Sequence, residues 1–203
     1  MIVGAVMLAA GKSERMGQNK LLLSLNGKRL IDNILDALAE ARLDEQVIVV
    51  GHRPEQVIEA VKPRMNGVEV AVNRDYEKGM TSSFQTGLKL LKHVDAAFLV
   101  LGDQPIFDPK VLRSLIEQME KRRGEALIAS PIHKGKKGHP LLFHSRLFSE
   151  ILGLKNSQTI RDVVHIHEDK LVKIDAPKWT VMDIDTPEDY SRIRDFIKTN
   201  QIP

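Results

Sequence analysis

The sequence predicts an α/β fold: a doubly wound, mostly parallel sheet with helices on both faces, making three layers in a single domain. Two observations predict it. Five short β-rich runs alternate with four stretches of helical periodicity in the first 130 residues. No low-complexity linker and no internal repeat divides the 203 residues, a length that suits one domain.

The elements follow in order. Residues 2–9 read as a buried strand, and residues 30–41 carry a helical stripe at Leu30, Ile31, Ile34, Leu35 and Leu38. Residues 46–50 are a β-branched strand ending at Gly51. Pro54 suits the first turn of a helix through Val61, and Pro63 stops it. Residues 68–72 form a third strand and residues 81–91 a helix with Phe84, Leu88 and Leu91 on one face. Residues 96–101 are a fourth strand, ending in Gly102-Asp103; Pro109 opens a helix through about Arg122, and residues 126–129 are a fifth strand. Beyond Ser130 the rhythm changes. Residues 133–139 read as a polar loop, 140–143 as an edge strand, 145–152 and 159–165 as short helices, 171–174 as a strand and 187–197 as a terminal helix. This last third elaborates the same domain. We expect residues 1–130 to bind a nucleotide and residues 131–203 to shape the site of a second substrate.

Composition excludes several classes of function. There is no cysteine, which removes disulfides, thiolate catalysis and iron–sulfur clusters and fits a reducing, cytoplasmic location. Thirty Lys and Arg against 27 Asp and Glu leave a net charge of +3, too little for general nucleic-acid binding. Nine aromatics leave little for base stacking. The apolar start at 2–10 is far short of the roughly 20 residues a spanning helix needs, so no membrane role is expected.

The first loop carries the main signal. Ala9-Ala10-Gly11 are small enough to let backbone approach a ligand, and successive N–H groups in such a turn cradle anions. Lys12, Arg15 and Lys20 add three cations against one acid, Glu14. This reads as a phosphate-binding loop, although it matches neither G-x-x-x-x-G-K-[ST] nor G-x-G-x-x-G. The missing dinucleotide glycine pattern argues against a nicotinamide oxidoreductase. Asp103 stands just past a buried strand, where a hard oxygen ligand can hold Mg²⁺ from the sheet's ligand edge. Asp108, before Pro109, is the better helix cap, which leaves Asp103 for metal. Asp183 and Asp185 flank Ile184 and share one face if the segment is extended; Thr186-Pro187, with Asp189 following, also reads as a helix start. Thr81, Ser82 and Ser83 can cap their helix or offer donors to an anion. His133-Lys134-Gly135-Lys136-Lys137-Gly138-His139-Pro140 holds no acid: a solvated loop, or a landing site for an anionic acceptor. His165 and His167 read as surface residues and Trp179 as packing.

These blocks together resemble the molybdenum-cofactor nucleotidyltransferases, of the Rossmann-like nucleotide-diphospho-sugar transferase fold. The resemblance rests on Leu8-Ala9-Ala10-Gly11-x-Ser13-x-Arg15-Met16-Gly17-x-Asn19-Lys20, on Gly79-Met80-x-x-Ser83-x-x-x-Gly87, on Gly102-Asp103-Gln104-Pro105, on Gly138-x-Pro140-x-x-Phe143 and on the Asp183–Asp185 block. It implies CMP transfer from CTP to the phosphate of molybdopterin, releasing pyrophosphate and forming the cytosine dinucleotide cofactor. It implies nucleotide binding at Leu8, Ala9, Ala10, Gly11, Lys12, Ser13, Asn73, Gly79, Ser83 and Gly102. Asp103 and Asp185 would ligate Mg²⁺, and Arg15 and Lys20, with Asp103, would be catalytic. Acceptor contacts would come from Gln104, Pro105, Lys137, Gly138, His139, Pro140 and Asp183. Ala-Ala-Gly points to the cytidylyl type, where guanylyl relatives read Ala-Gly-Gly. Guanylyl and sugar-phosphate transfer are the enzymatic alternatives. A non-catalytic carrier, or a chaperone docking transiently on a xanthine-dehydrogenase-type molybdoenzyme, is the third reading.

Overall fold

A computed structural model describes residues 1–64, 67–155 and 157–200. In chain order it holds β1 (Val3–Ala9), a small hairpin of β2 (Ser24–Leu25) and β3 (Lys28–Arg29), α1 (Leu30–Glu40), β4 (Glu45–Val50), α2 (Pro54–Val61) and β5 (Glu69–Val72). Then come α3 (Met80–Leu88), β6 (Ala96–Leu101), α4 (Pro109–Lys121), β7 (Ile128–His133), β8 (Lys136–Lys137) and β9 (Leu141–His144). The chain finishes with α5 (Phe148–Gly153), α6 (Ile160–Ile166), β10 (Leu171–Asp175) and α7 (Pro187–Thr199).

The main sheet runs β10-β7-β9-β6-β1-β4-β5, with β8 paired to β7. β1 is parallel to both β4 and β6, and β4 is parallel to β5. The alternation of β1 builds the layers. Val3, Ala5, Met7 and Ala9 face α1, α2 and α4, whereas Val6 and Leu8 face α3, α5 and α6. The predicted single-domain α/β architecture is therefore the one observed.

Two expectations are corrected. Residues 140–143 form no edge strand: β9 lies inside the sheet, antiparallel to both β6 and β7. Leu141, Leu142 and Phe143 are all buried, so both faces of this strand are covered, and an unbroken apolar triplet is the mark of such a strand. The predicted polar loop at 133–139 is a hairpin, because β7 continues to His133 and pairs back with β8. The β2–β3 hairpin was not foreseen. Its turn is Asn26-Gly27, both with positive φ (53° and 78°), the pair a tight hairpin favours.

The helix starts follow their caps. Asp108 accepts the Lys110 N–H at 2.8 Å ahead of Pro109, and Thr186 with Asp189 forms a reciprocal capping box at α7. A third, smaller core joins Met16 of the first loop, Leu25, Leu30 and Ile184 to Ile193 and Ile197 of α7. Among the described residues no helix is long and apolar enough to cross a membrane.

Gly87 shows how tightly α3 sits on the sheet. A Cβ there would lie 2.3 Å from Val6 Cγ1 and 2.8 Å from Val49 Cγ2. Alanine normally favours a helix interior by about 1 kcal/mol, but here overpacking outweighs it. Gly87→Ala is expected to destabilise the protein by about 2 kcal/mol, read as a lower urea midpoint.

Candidate active site

The first loop leaves β1 at the sheet's carboxyl edge. Ser13 and Gly17 take left-handed backbone (φ 53° and 72°), which folds the chain back on itself. The turn is closed by Met16 N–H donating to Ser13 O at 3.0 Å, while Ser13 Oγ accepts the Lys20 N–H at 3.3 Å. Asn19 caps the next turn through Leu21 N–H. The loop borders a cleft of about 460 Å³, within the range of small-ligand sites. Leu8, Ala9, Ala10, Gly11, Lys12, Ser13, Lys20, Gly79, Ser83, Gly102 and Asp103 line it. A Cβ at Gly11 would meet nothing within 4 Å, so the open space there faces the cleft and not protein.

Lys20 is the centre of the site. Its Nζ lies 2.8 Å from Asp103 Oδ2 and 3.1 Å from Asp185 Oδ1, and Arg15 reaches Asp185 Oδ2 at 2.9 Å. Burial alone would lower the Lys20 pKa, but Asp103 and Asp185 outweigh it and hold the ammonium above its ordinary value. Burial likewise opposes ionisation of Asp185, and Lys20 with Arg15 overcomes it, holding the carboxyl below its usual range. Asp183 goes the other way. Burial raises it first, and the charges of Asp103 and Asp185 add to the rise.

Three local facts bring the carboxylates together. Gly102 N–H bonds Leu8 O at 3.1 Å, and a Cβ on Gly102 would lie 2.6 Å from that oxygen. Ile184 N–H bonds Asp103 O at 3.0 Å. Ile184 itself is fully buried in the third core, so its two acidic neighbours turn toward the cleft rim. A hard cation takes carboxylate oxygens. Among the described residues Asp103 Oδ1 is buried with no hydrogen-bond partner, a spare ligand atom beside a second carboxylate, and the pair fits a divalent metal.

Other predicted residues serve differently. Asn73 sits behind the cleft, not on it. Its amide donates to Ser82 Oγ and Ser83 Oγ, both at 3.0 Å, and accepts the Asp75 N–H. None of the three hydroxyls caps α3: Thr81 Oγ1 accepts from Ile160 N–H at the start of α6, and Ser82 Oγ donates to the carbonyls of Asp75 and Gly79. Ser83 alone of the three lines the cleft. Gln104 is buried, its Nε2 donating to His139 O at 3.0 Å and Thr180 O at 3.3 Å. Pro105 lies on another face of the protein, beside Phe107 and Leu25. Lys137 is paired with Glu168, which Lys173 also holds at 2.7 Å. Gly138 lies flush against Thr180, whose oxygen a Cβ would approach to 2.3 Å. His139 is mostly buried beside Pro140, and its Nδ1 has no hydrogen-bond partner among the described residues. His165 is exposed, and His167 bonds Glu150 at 2.8 Å. Trp179 packs beside Pro140 and Ile106.

The cleft is also lined by residues that the sequence does not assign to a site, namely Glu14, Leu21, Tyr76, Glu77, Met80 and Leu101. Lys12 meets Glu77 across the cleft at 2.8 Å. The charged turn Asp75-Tyr76-Glu77-Lys78 just before Gly79 was the available signal.

Burial pulls the His139 imidazole down to about 4, Arg161 adding to the effect against Asp103. The unfolded chain therefore binds the proton first, and stability present above pH 6.5 is lost as pH falls toward 4. The loss is roughly 3 kcal/mol over that window. Urea unfolding at pH 7 and pH 4.5 should show it, and His139→Asn should flatten the difference.

A model of the MobA-like NTP transferase domain matches residues 5–171. The chain is 26% identical to the molybdenum cofactor cytidylyltransferase of Escherichia coli K12, over 93% of each chain. It is 24% identical to a probable molybdenum cofactor guanylyltransferase of Natranaerobius thermophilus, over 96% of each. It is 30% identical to the purine catabolism protein PucB of Bacillus subtilis, over 93% of this chain and 94% of that one. Among solved structures, a Methanothermobacter nucleotidyl transferase superposes with a TM-score of 0.80 at 26% identity, covering 98% and 99% of the chains. Mycobacterium tuberculosis Rv0371c, solved as a manganese complex, gives 0.78 at 24% identity over 96% and 99%. The chain belongs to the MobA-like NTP transferase family and is a nucleotidyltransferase by family.

Proposed function

We propose that this chain moves CMP from CTP to the phosphate of molybdopterin, releasing pyrophosphate, with Mg²⁺ as its metal. The observation that carries the reading is the meeting of Lys20, Asp103 and Asp185 on the rim of a glycine- and alanine-floored cleft. The manganese complex of Rv0371c supports a divalent ion. Asp103 and Asp185 would hold Mg²⁺, which when bound supplies positive charge to the reacting phosphates. The remaining work belongs to the chain. The first-loop amides and Ser13 cradle phosphate, and Lys20 and Arg15 set cations where pyrophosphate departs. A phosphate monoester is largely ionised near neutral pH, so its attack needs no protein base. Catalysis is then positioning and charge neutralisation. Residues 1–130 hold the nucleotide and residues 131–203 the acceptor. Asp103→Ala should abolish pyrophosphate release from CTP and molybdopterin while circular dichroism stays native. Wild-type turnover in that variant would sink the metal assignment.

The choice of CTP rests on Ala10. A Cβ on Gly51 would lie 2.8 Å from Ala10 Cβ and 2.6 Å from Tyr76 Cβ, so the Ala10 methyl and Tyr76 crowd one backbone face beside the cleft. Ala10 also lines the cleft, and we read its methyl as taking room that Ala-Gly-Gly would leave to a purine. One methyl in a pocket discriminates by roughly tenfold or more. Ala10→Gly is expected to raise kcat/KM for GTP relative to CTP by about tenfold in a nucleotide competition assay. An unchanged ratio would remove Ala10 from base selection.

A further inference from the structure

The ammonium at the centre of the site holds the oxygens that a divalent ion would need. Lys20 Nζ donates to Asp103 Oδ2 at 2.8 Å and to Asp185 Oδ1 at 3.1 Å, and Arg15 lies 2.9 Å from Asp185 Oδ2. Three of the four oxygens of these two carboxylates are therefore held by cations of the chain. The fourth, Asp103 Oδ1, is buried and has no hydrogen-bond partner among the described residues. Two negative and two positive charges cancel, so of the acids named here only Asp183 is left over to attract a dication.

The Lys20 side chain can move while its backbone stays. Ser13 Oγ accepts the Lys20 N–H at 3.3 Å, Asn19 caps the turn that Lys20 opens, and the next residue, Leu21, is buried. The side chain itself is not walled in: it lines the cleft and keeps 16% of its surface exposed. A point charge on a flexible four-carbon stem changes place by changing rotamer about a fixed Cα. Arg15 is freer still, with 69% of its side chain exposed. Both cations can leave the carboxylates without any change of fold. A hard divalent ion takes the same oxygens. An ammonium and a dication on one carboxylate oxygen repel, and partial burial limits the water that would screen them.

We propose that Lys20 and the divalent ion exchange on the same carboxylate oxygens: the ion is seated on Asp103 and Asp185 as Lys20 withdraws, with Arg15 giving up Asp185 Oδ2. This rests on the reading of Asp103 and Asp185 as the metal ligands. Lys20 then has a role opposite in sign to that of a residue that merely assembles the site, because in the chain by itself it weakens metal binding. The withdrawn ammonium stays in the nucleotide cleft, since Lys20 lines it together with Gly11, Lys12 and Ser13 of the first loop. The exchange therefore couples the two ligands. An ion that displaces Lys20 frees a cation for phosphate, and phosphate that draws Lys20 away frees the oxygens for the ion.

The test is Mn²⁺ titration of the nucleotide-free chain, read as loss of the free-ion electron paramagnetic resonance signal, in wild type, Lys20→Met, Arg15→Gln and Lys12→Met. Asp103→Asn is added to both wild type and Lys20→Met. The Mn²⁺ Kd should fall about tenfold or more in Lys20→Met and about threefold in the more exposed Arg15→Gln. Lys12→Met removes a charge from the same cleft, but Lys12 is paired with Glu77 at 2.8 Å, so the Kd should stay within about twofold. A Kd that does not fall in a folded Lys20→Met, or in Arg15→Gln should Lys20→Met not fold, overturns the exchange. An equal fall in Lys12→Met also overturns it, because the effect is then one of general charge. Asp103→Asn tests the underlying reading. Binding that Asp103→Asn leaves unchanged in both backgrounds removes the metal assignment and the exchange with it. Binding that Asp103→Asn abolishes, with no gain in Lys20→Met, means the assignment stands and the exchange falls.

Discussion

The site depends on one ammonium group set between two carboxylates. Lys20 reaches Asp103 from loop one and Asp185 from the far end of the chain. Two carboxylates this close repel, and burial penalises each charge further. Lys20 and Arg15 together outweigh that penalty for Asp185 at the mouth of a cleft. With Asp183 nearby the cluster still holds more acid than base, which is the electrostatic condition a divalent cation requires. Under the proposed reading the same cations would face the phosphates, so that one ion-pair network would stabilise the free site and supply charge to the bound one.

That network explains features that otherwise look unrelated. Gly102 is glycine because Asp103 must leave β6 with its backbone flush against Leu8. Ile184 is buried because its backbone must dock on Asp103 O and present an acid on either side. Met16, Ile184 and α7 share one small core, so loop one and the acidic segment are held by the same apolar contacts. At roughly 1.5–3 kcal/mol for each large side chain fully buried, that cluster is strong enough to fix two loops relative to one another. The terminal helix is a structural part of the site although it contributes no reacting group.

Much of this was legible in the sequence, for physical reasons. The β1, β4, β5 and β6 strands follow from local apolar runs, and the first loop and Asp103 follow from being placed at strand ends. The starts of α4 and α7 follow from Asp108 and from Thr186 with Asp189, because caps are local chemistry. What was not legible is whatever depends on partners far along the chain. β9 was read as an edge because its neighbours, β6 and β7, cannot be known from its own four residues. Asn73 was read as a nucleotide contact, yet its amide is spent on Ser82, Ser83 and Asp75. Gln104 was read as facing the acceptor, yet it ties residue 139 to residue 180. Asn73 and Gln104 had both been singled out through the resemblance. The hydrogen-bond partner decided each role.

The weak net charge of +3 takes its meaning from the same topology. Acids and bases nearly cancel over the whole chain, so long-range steering of a polyanion is small. Locally they are sorted. Lys137 of the β7–β8 ribbon and Lys173 of β10 share Glu168, while among the described residues Lys134 and Lys136 form no ion pair. Lys12 is spent on Glu77 across the cleft, while Lys20 is spent on Asp103 and Asp185. A protein that must seat two anionic substrates side by side faces a mutual repulsion that grows as they approach. Under the proposed reading, cationic sites on either side of the acidic centre would reduce that repulsion without making the whole surface basic. The alternation of β8 and the glycine seams at 102 and 138 would provide that separation, because they fix which face each lysine takes.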